Sequence, residues 1–219
     1  MTGLGIRRRL KMIHYDGYSE IQPEKNRISL IHVGRHDPAL FNKIHAGLQS
    51  FVNFVSGPEK NLIVTTDFIS EPYFPVKKYS GWETAYSSLL SSADLGPIAI
   101  AITSQGLWAT TPKPRFIFCS VIGPGNVVVS LNRFQRMNIN RLSRIQKEVI
   151  KGLGMALGIG HCNDPSCIQS YHWNDEDFDR NTGVCEPCVR TIKNRFRQCF
   201  DDKTGKEHDD CRKNSGVLP

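Results

Sequence analysis

The sequence predicts an α/β domain: a mixed, mostly parallel five-stranded sheet with one antiparallel edge strand, covered by helices. Three stretches carry that reading. The chain opens strand–helix–strand between Ile28 and Thr66, and such a unit defaults to parallel strands joined by a right-handed crossover. Ile98-Ala-Ile-Ala-Ile102 is apolar throughout, as a strand covered on both faces is. A long amphipathic helix beginning near Asn138–Asn140 runs into two closely spaced pairs of cysteines.

The elements follow in order. Ile28–Val33 is an apolar run ending at Gly34 and reads as a buried strand. Asp37-Pro38 starts a helix, with Asp at the cap and Pro at the first helical position. Leu40, Ile44, Leu48, Phe51, Val52 and Val55 give that helix its apolar face, and Gly57-Pro58 ends it. Leu62–Thr66 is the second strand. Residues 70–80, with Pro72, Tyr73, Phe74 and Pro75, are expected to form a loop. Trp82–Leu90 reads as a helix, and Ile98–Ile102, Phe116–Cys119 and Val127–Ser130 as the remaining strands. Gly123-Pro-Gly-Asn126 is a turn, too short for a crossover, so it joins antiparallel strands. Leu142, Ile145, Val149, Leu153 and Ala156 recur at spacings of three and four, which turns one face of the long helix to the sheet. Gly158 and Gly160 stop it. Val189–Phe200 is basic and of helical length. The domain is therefore placed at 27–200, after a polar and basic arm over 1–26 and before a polar tail over 201–219.

Composition narrows the function classes. No apolar run approaches the roughly 20 residues of a membrane span, and the basic start is not followed by the apolar stretch of a secretory signal. An intracellular, cytoplasmic and hence reducing setting is expected, where clustered cysteines favour metal over disulfides. The formal charge is +7. Four thiolates on one divalent cation add about −2, leaving about +5, so charge alone does not argue for nucleic acid.

The cysteines carry the clearest chemistry. Zinc takes four tetrahedral ligands, and thiolates at short spacing let two come from one turn of backbone. Cys162-x4-Cys167 supplies one pair and Cys185-Glu-Pro-Cys188 the other. Four ligands leave no open position, so the predicted role is structural, within a zinc segment over 161–188. Cys199 and Cys211 read as spare thiols, and Cys119 has no assigned role.

The helix before them reads differently. A zinc peptidase helix of the long type runs His-Glu-x-x-His-x-x-Gly-x-x-His: two His one turn apart face one metal, the Glu polarises water, and the Gly lets the third His return. Gly158-x-x-His161 matches the end of that pattern. The first His position is Lys151, the Glu position Gly152 and the second His position Met155.

With these residues in view, the chain resembles the archaemetzincins, whose long zincin motif runs directly into Cys-x4-Cys and then Cys-x-x-Cys. The resemblance covers roughly residues 27–195, includes Lys147-Glu148, and treats Val127–Leu131 as an edge strand. It implies a compact zincin-like domain with a long active-site-type helix and a C-terminal zinc subdomain built on the four cysteines. It also implies a metallopeptidase ancestry. The departures imply a pseudopeptidase: Lys151, Gly152 and Met155 replace the catalytic residues, Gln169 replaces the family's methionine, and His161 alone is retained. One imidazole does not hold a catalytic zinc, which takes about three protein ligands, and a Lys151 ammonium would repel it. One structural Zn2+ is expected and no catalytic ion.

Other readings stay open at this level. Glu148 lies one turn before Gly152, about 5.4 Å away along the axis, and His172 follows the second cysteine; either is a candidate to complete a second metal site in an active peptidase with substituted ligands. Lys151 is expected to fill the vacated pocket, bonded to carbonyls or to Glu148. An extended peptide along the edge strand is the expected partner. A zinc-stabilised nucleic-acid module, suggested by Arg190, Lys193, Arg195 and Arg197, lacks an aromatic-interleaved basic stripe.

Overall fold

The computed structural model describes residues 26–34, 37–57, 62–69, 82–92, 95–109, 115–136 and 140–200. The expected tail over 201–219, all but Asn26 of the expected arm, and the loop over 70–80 lie outside the described residues.

Strand β1 (Arg27–Val33) is buried at every position after Arg27. Helix α1 (Pro38–Ser56) follows, with the Asp37 side chain accepting from the Ala39 N–H at 2.9 Å. It ends at Gly57, whose φ of 86° only glycine adopts without strain. Then come β2 (Ile63–Ile69), α2 (Trp82–Ser92) and β3 (Ile98–Thr103), the last buried on both faces as its unbroken apolar run requires. Two short strands, β4 (Leu107–Ala109) and β5 (Arg115–Ile117), form a separate antiparallel ribbon. The antiparallel pair β6 (Cys119–Gly123) and β7 (Asn126–Ser130) turns at Gly125, with φ of 73°.

The main sheet has the order β2-β1-β3-β7-β6, parallel through β7 and antiparallel at β6. Alternation along its strands divides the core. Ile28, Leu30, Ile100, Val127 and Val129 face α1, α3 (Arg141–Ala156) and α5 (Glu186–Phe200), while Ile31, Val33, Ala99, Ala101 and Val128 face Trp82, Tyr86 and Leu90 of α2.

Two expectations need correction. The strand expected over Phe116–Cys119 is divided, because Phe118 leaves the ladder to pack its ring against Phe134 at 5.2 Å and Phe178 at 5.0 Å. Consequently β5 and β6 belong to different sheets. The stretch Val127–Leu131 is not an edge: β7 lies between β3 and β6, and β6 is the antiparallel edge strand.

Helix α3 approaches the sheet closely at Gly152. A Cβ there would sit 3.1 Å from Val127 Cγ1 and 3.3 Å from both Cys119 Sγ and Val129 Cγ2. Asn140 stands at the cap of α3 in the left-handed region, with φ of 57°, and makes no side-chain cap bond. The helix stops where Gly158, φ 74°, returns its N–H to the Met155 carbonyl. The turn delivers His161 and Cys162 to the head of the cysteine segment. That segment includes a short helix α4 (Asp175–Arg180), opened by a reciprocal cap between Asn174 and Asp177.

Candidate functional site

The four cysteines predicted as ligands come together. Their sulfur atoms all lie within 4.8 Å of one another, and among the described residues they are the one His/Cys/Asp/Glu group so placed. The Cys162 and Cys185 sulfurs are 3.7 Å apart. Four sulfurs at about 2.3 Å from a tetrahedral zinc stand about 3.8 Å from each other, so the donor set and its spacing fit that ion.

Local backbone chemistry makes the fit. Asp164 accepts from the Ser166 N–H and hydroxyl at 2.9 and 2.7 Å, and its carbonyl accepts from the Cys167 N–H at 3.0 Å. These bonds close the Cys162-x4-Cys167 loop. The Asp164 N–H points to Cys162 Sγ at 3.5 Å and the Cys185 N–H to Cys167 Sγ at 3.4 Å, where each favours a thiolate. Cys185 precedes α5 and Cys188 lies in its first turn. Burial, then the neighbouring thiols, drives the Cys188 proton affinity well up; at Cys185 hydrogen bonds outweigh burial and lower it. Four packed thiols share charge badly among themselves, and a divalent cation resolves that by drawing thiolate character from all of them.

Two residues that the sequence reading missed hold this segment to the fold. The Asn181 amide donates to the Pro165 and Cys167 carbonyls at 2.8 and 3.0 Å and is 2% exposed. The Lys147 ammonium donates to the Phe178 and Asn181 carbonyls, both at 2.7 Å, closing the C-terminal end of α4. Asn181 has no motif to mark it. Lys147 stands out in the sequence only as part of the resemblance.

The peptidase-like face of α3 holds different chemistry. Lys151 is buried, its side chain 5% exposed, and its ammonium lies 4.0 Å from Glu148 Oε1 and 5.6 Å from the centre of the Tyr171 ring. Glu148 Oε2 meets His172 Nδ1 at 2.7 Å, and the ionised carboxylate requires that nitrogen to donate. Burial alone would raise the Glu148 pKa. Lys151 and His172 together outweigh it and hold the carboxyl below its ordinary range. Glu148 and His172, weighed as rescuers of a second metal site, are thus engaged with each other, and His172 Nε2 is buried with no hydrogen-bond partner among the described residues.

The other candidate positions scatter. Gly152 offers no donor and lies against the sheet. Met155 packs against the main core. Gln169 is fully buried, its amide directed to the Ile150 carbonyl at 3.4 Å, and a Cβ at Gly154 would collide with it. His161 is exposed, in edge contact with Tyr171 at 4.8 Å, its proton affinity lowered by partial burial and by Lys151. The structure does not bring Lys151, Gly152, Met155 and His161 into one metal-binding set, and these residues do not fit a catalytic zinc. Cys199, read as a spare thiol, is buried in α5 and disulfide-bonded; Cys211 lies outside the described residues. No described helix is long and apolar enough to cross a membrane.

Fold and site together define an α/β domain with a mostly parallel five-stranded sheet and a four-cysteine group. The family model for peptidase family M54 matches residues 91–194, from the end of α2 into α5. An archaemetzincin of Methanopyrus kandleri is 29% identical over 102 residues, covering 45% of this chain and 57% of that protein. One from Halobacterium salinarum is 32% identical over 111 residues, covering 46% of this chain and 64% of the relative. The match thus spans little more than half the length of these relatives. The crystal structure of the M. kandleri archaemetzincin superimposes with a TM-score of 0.62 at 21% identity, over 81% of this chain and 99% of that one. An Archaeoglobus fulgidus archaemetzincin complexed with malonate gives 0.54 at 19% identity, over 75% and 99%. Over the matched residues 91–194 the chain is similar to peptidase family M54 and to the archaemetzincins.

Proposed function

We propose that this chain is a pseudopeptidase: an archaemetzincin-family protein that keeps one structural zinc on Cys162, Cys167, Cys185 and Cys188 and has given up the catalytic ion. The observation that carries the reading is Lys151. A buried ammonium, ion-paired to Glu148, takes the place of the first helix imidazole. A cation brought beside it meets like charge in a poorly solvated site. Gly152 supports the same conclusion, since no carboxylate stands at the position that would polarise water.

Peptide binding without cleavage is part of this proposal. Strand β6 pairs with β7 on one side, and no described strand pairs with its outer edge. Its backbone could accept an extended segment by strand addition, although the shift in register between Val121 and Gly123 limits how far such a strand could run.

One observation favours the alternative, an active peptidase with substituted ligands. Metal-binding histidines commonly donate their second nitrogen to a carboxylate, as His172 does to Glu148. The sealed His172 Nε2, with the Phe178 ring 4.3 Å away, argues against it. Purified full-length protein separates the two. The proposal expects one zinc per chain and intact peptides after prolonged incubation. Chelator-sensitive cleavage, lost in His161→Ala, would establish the alternative.

A further inference from the structure

We propose that Lys151, with the aromatic wall of His161, Tyr171 and Trp173, forms a binding site for a carboxylate carried on an apolar or aromatic body, as at the C-terminus of a peptide. The inference rests on the reading that no cation is held beside Lys151.

The lysine is the first ground. An ammonium has three N–H donors, and Lys151 makes no hydrogen bond to a described residue. Its nearest carboxylate oxygen, Glu148 Oε1, is 4.0 Å away, beyond the 2.7–3.2 Å or so of a hydrogen bond. The other Glu148 oxygen is committed to His172. A charged group this deeply buried is costly unless its donors are met. The Lys151 side chain keeps 5% of its surface exposed.

The wall beside it is the second ground. Tyr171 is 48% exposed and Trp173 56%, their rings 4.4 Å apart, and the His161 ring meets Tyr171 edge-on at 4.8 Å. The ammonium lies over the Tyr171 ring. Contiguous exposed rings next to a buried, under-bonded cation suit a ligand with an apolar body and an anionic end. One ammonium with a carboxylate behind it matches a single negative charge. A phosphate would bring a second charge toward Glu148 with no second cation to meet it.

The test uses zinc-loaded full-length protein and three probes: acetyl-Gly-Phe as the free acid, the same peptide as its C-terminal amide, and acetyl-Gly-Glu-Phe-amide. Binding is followed by calorimetry and Trp fluorescence. The free acid is expected to bind at least tenfold more tightly than its amide. The preference should vanish in K151M/E148Q, which removes the cation without stranding a buried carboxylate, and survive in K151R. Tight binding of the Glu-containing amide adds side-chain carboxylates to the ligands accepted; its weak binding restricts the site to chain ends. Equal binding of acid and amide, a preference that persists in K151M/E148Q, or no binding up to millimolar probe overturns the site. Cleavage of a probe, or a second zinc per chain, instead overturns the pseudopeptidase reading.

Discussion

Replacing Lys151 by methionine keeps most of the side chain's unbranched stem and removes its charge. At 4.0 Å, two unit charges attract by about 4 kcal/mol when the effective dielectric constant is about 20. The larger effect is on what remains. Glu148 is 1% exposed, and breaking a buried pair by deleting one partner typically costs about 3–5 kcal/mol, because the surviving charge is left uncompensated. Here the carboxylate keeps its bond to His172, which places K151M near the lower end, about 3 kcal/mol. E148Q should cost a comparable amount by stranding the ammonium. The double variant should cost less than the sum of the two by about 1–3 kcal/mol, as contacting residues do. Urea unfolding of the zinc-loaded protein, followed by circular dichroism, measures all four corners of the cycle. A K151M cost under about 1 kcal/mol, or strict additivity, would refute the claim that Lys151 and Glu148 form an internal ion pair.

Three further outcomes follow from the same geometry. Writing the long zinc-peptidase motif in as K151H/G152E/M155H should not create a peptidase, because the stem of the glutamate introduced at Gly152 would press on Val127 and Val129, both fully buried; the variant should melt below the parent, and chelator-sensitive hydrolysis in it would contradict this. Asn181→Ala should cost about 2 kcal/mol, by leaving the Pro165 and Cys167 carbonyls without their donor, and should speed zinc loss to a chelator in a colorimetric release assay. The folded-state pKa of Glu148 lies below its ordinary 4.5, so its contribution to stability is complete above about pH 4.5 and is lost as pH falls through the folded value; urea titrations between pH 3 and 6 should show an acid limb that E148Q flattens.

Much of the fold is legible in the sequence because its long elements announce themselves locally. Ile28–Val33 and Ile98–Ile102 are continuous apolar strands, and Asp37-Pro38 and Gly158 mark helix ends by backbone chemistry that needs no distant partner. The division at Phe118 is not legible, since Phe116 through Ile122 reads as one β-rich run and only packing against Phe134 and Phe178 separates its halves. Helix α4 escapes the sequence reading although Asn174-x-x-Asp177 is its capping signal. At the site, Cys spacing suffices to foresee the sulfur cluster. Glu148 can be foreseen as a partner of Lys151, being one turn away on the same helix. The Glu148–His172 bond cannot, because it joins residues 24 positions apart across a loop. The sequence reading assigns the edge one strand too far in, to Val127–Leu131, because pairing order within a sheet is a tertiary property.

The most direct test is X-ray absorption at the zinc edge on protein as purified, with metal counted on the same sample. One zinc per chain, surrounded by four sulfurs at about 2.3 Å and no lighter ligand, is the result this account predicts. A second zinc, with nitrogen or oxygen neighbours at about 2.0–2.1 Å, would contradict it.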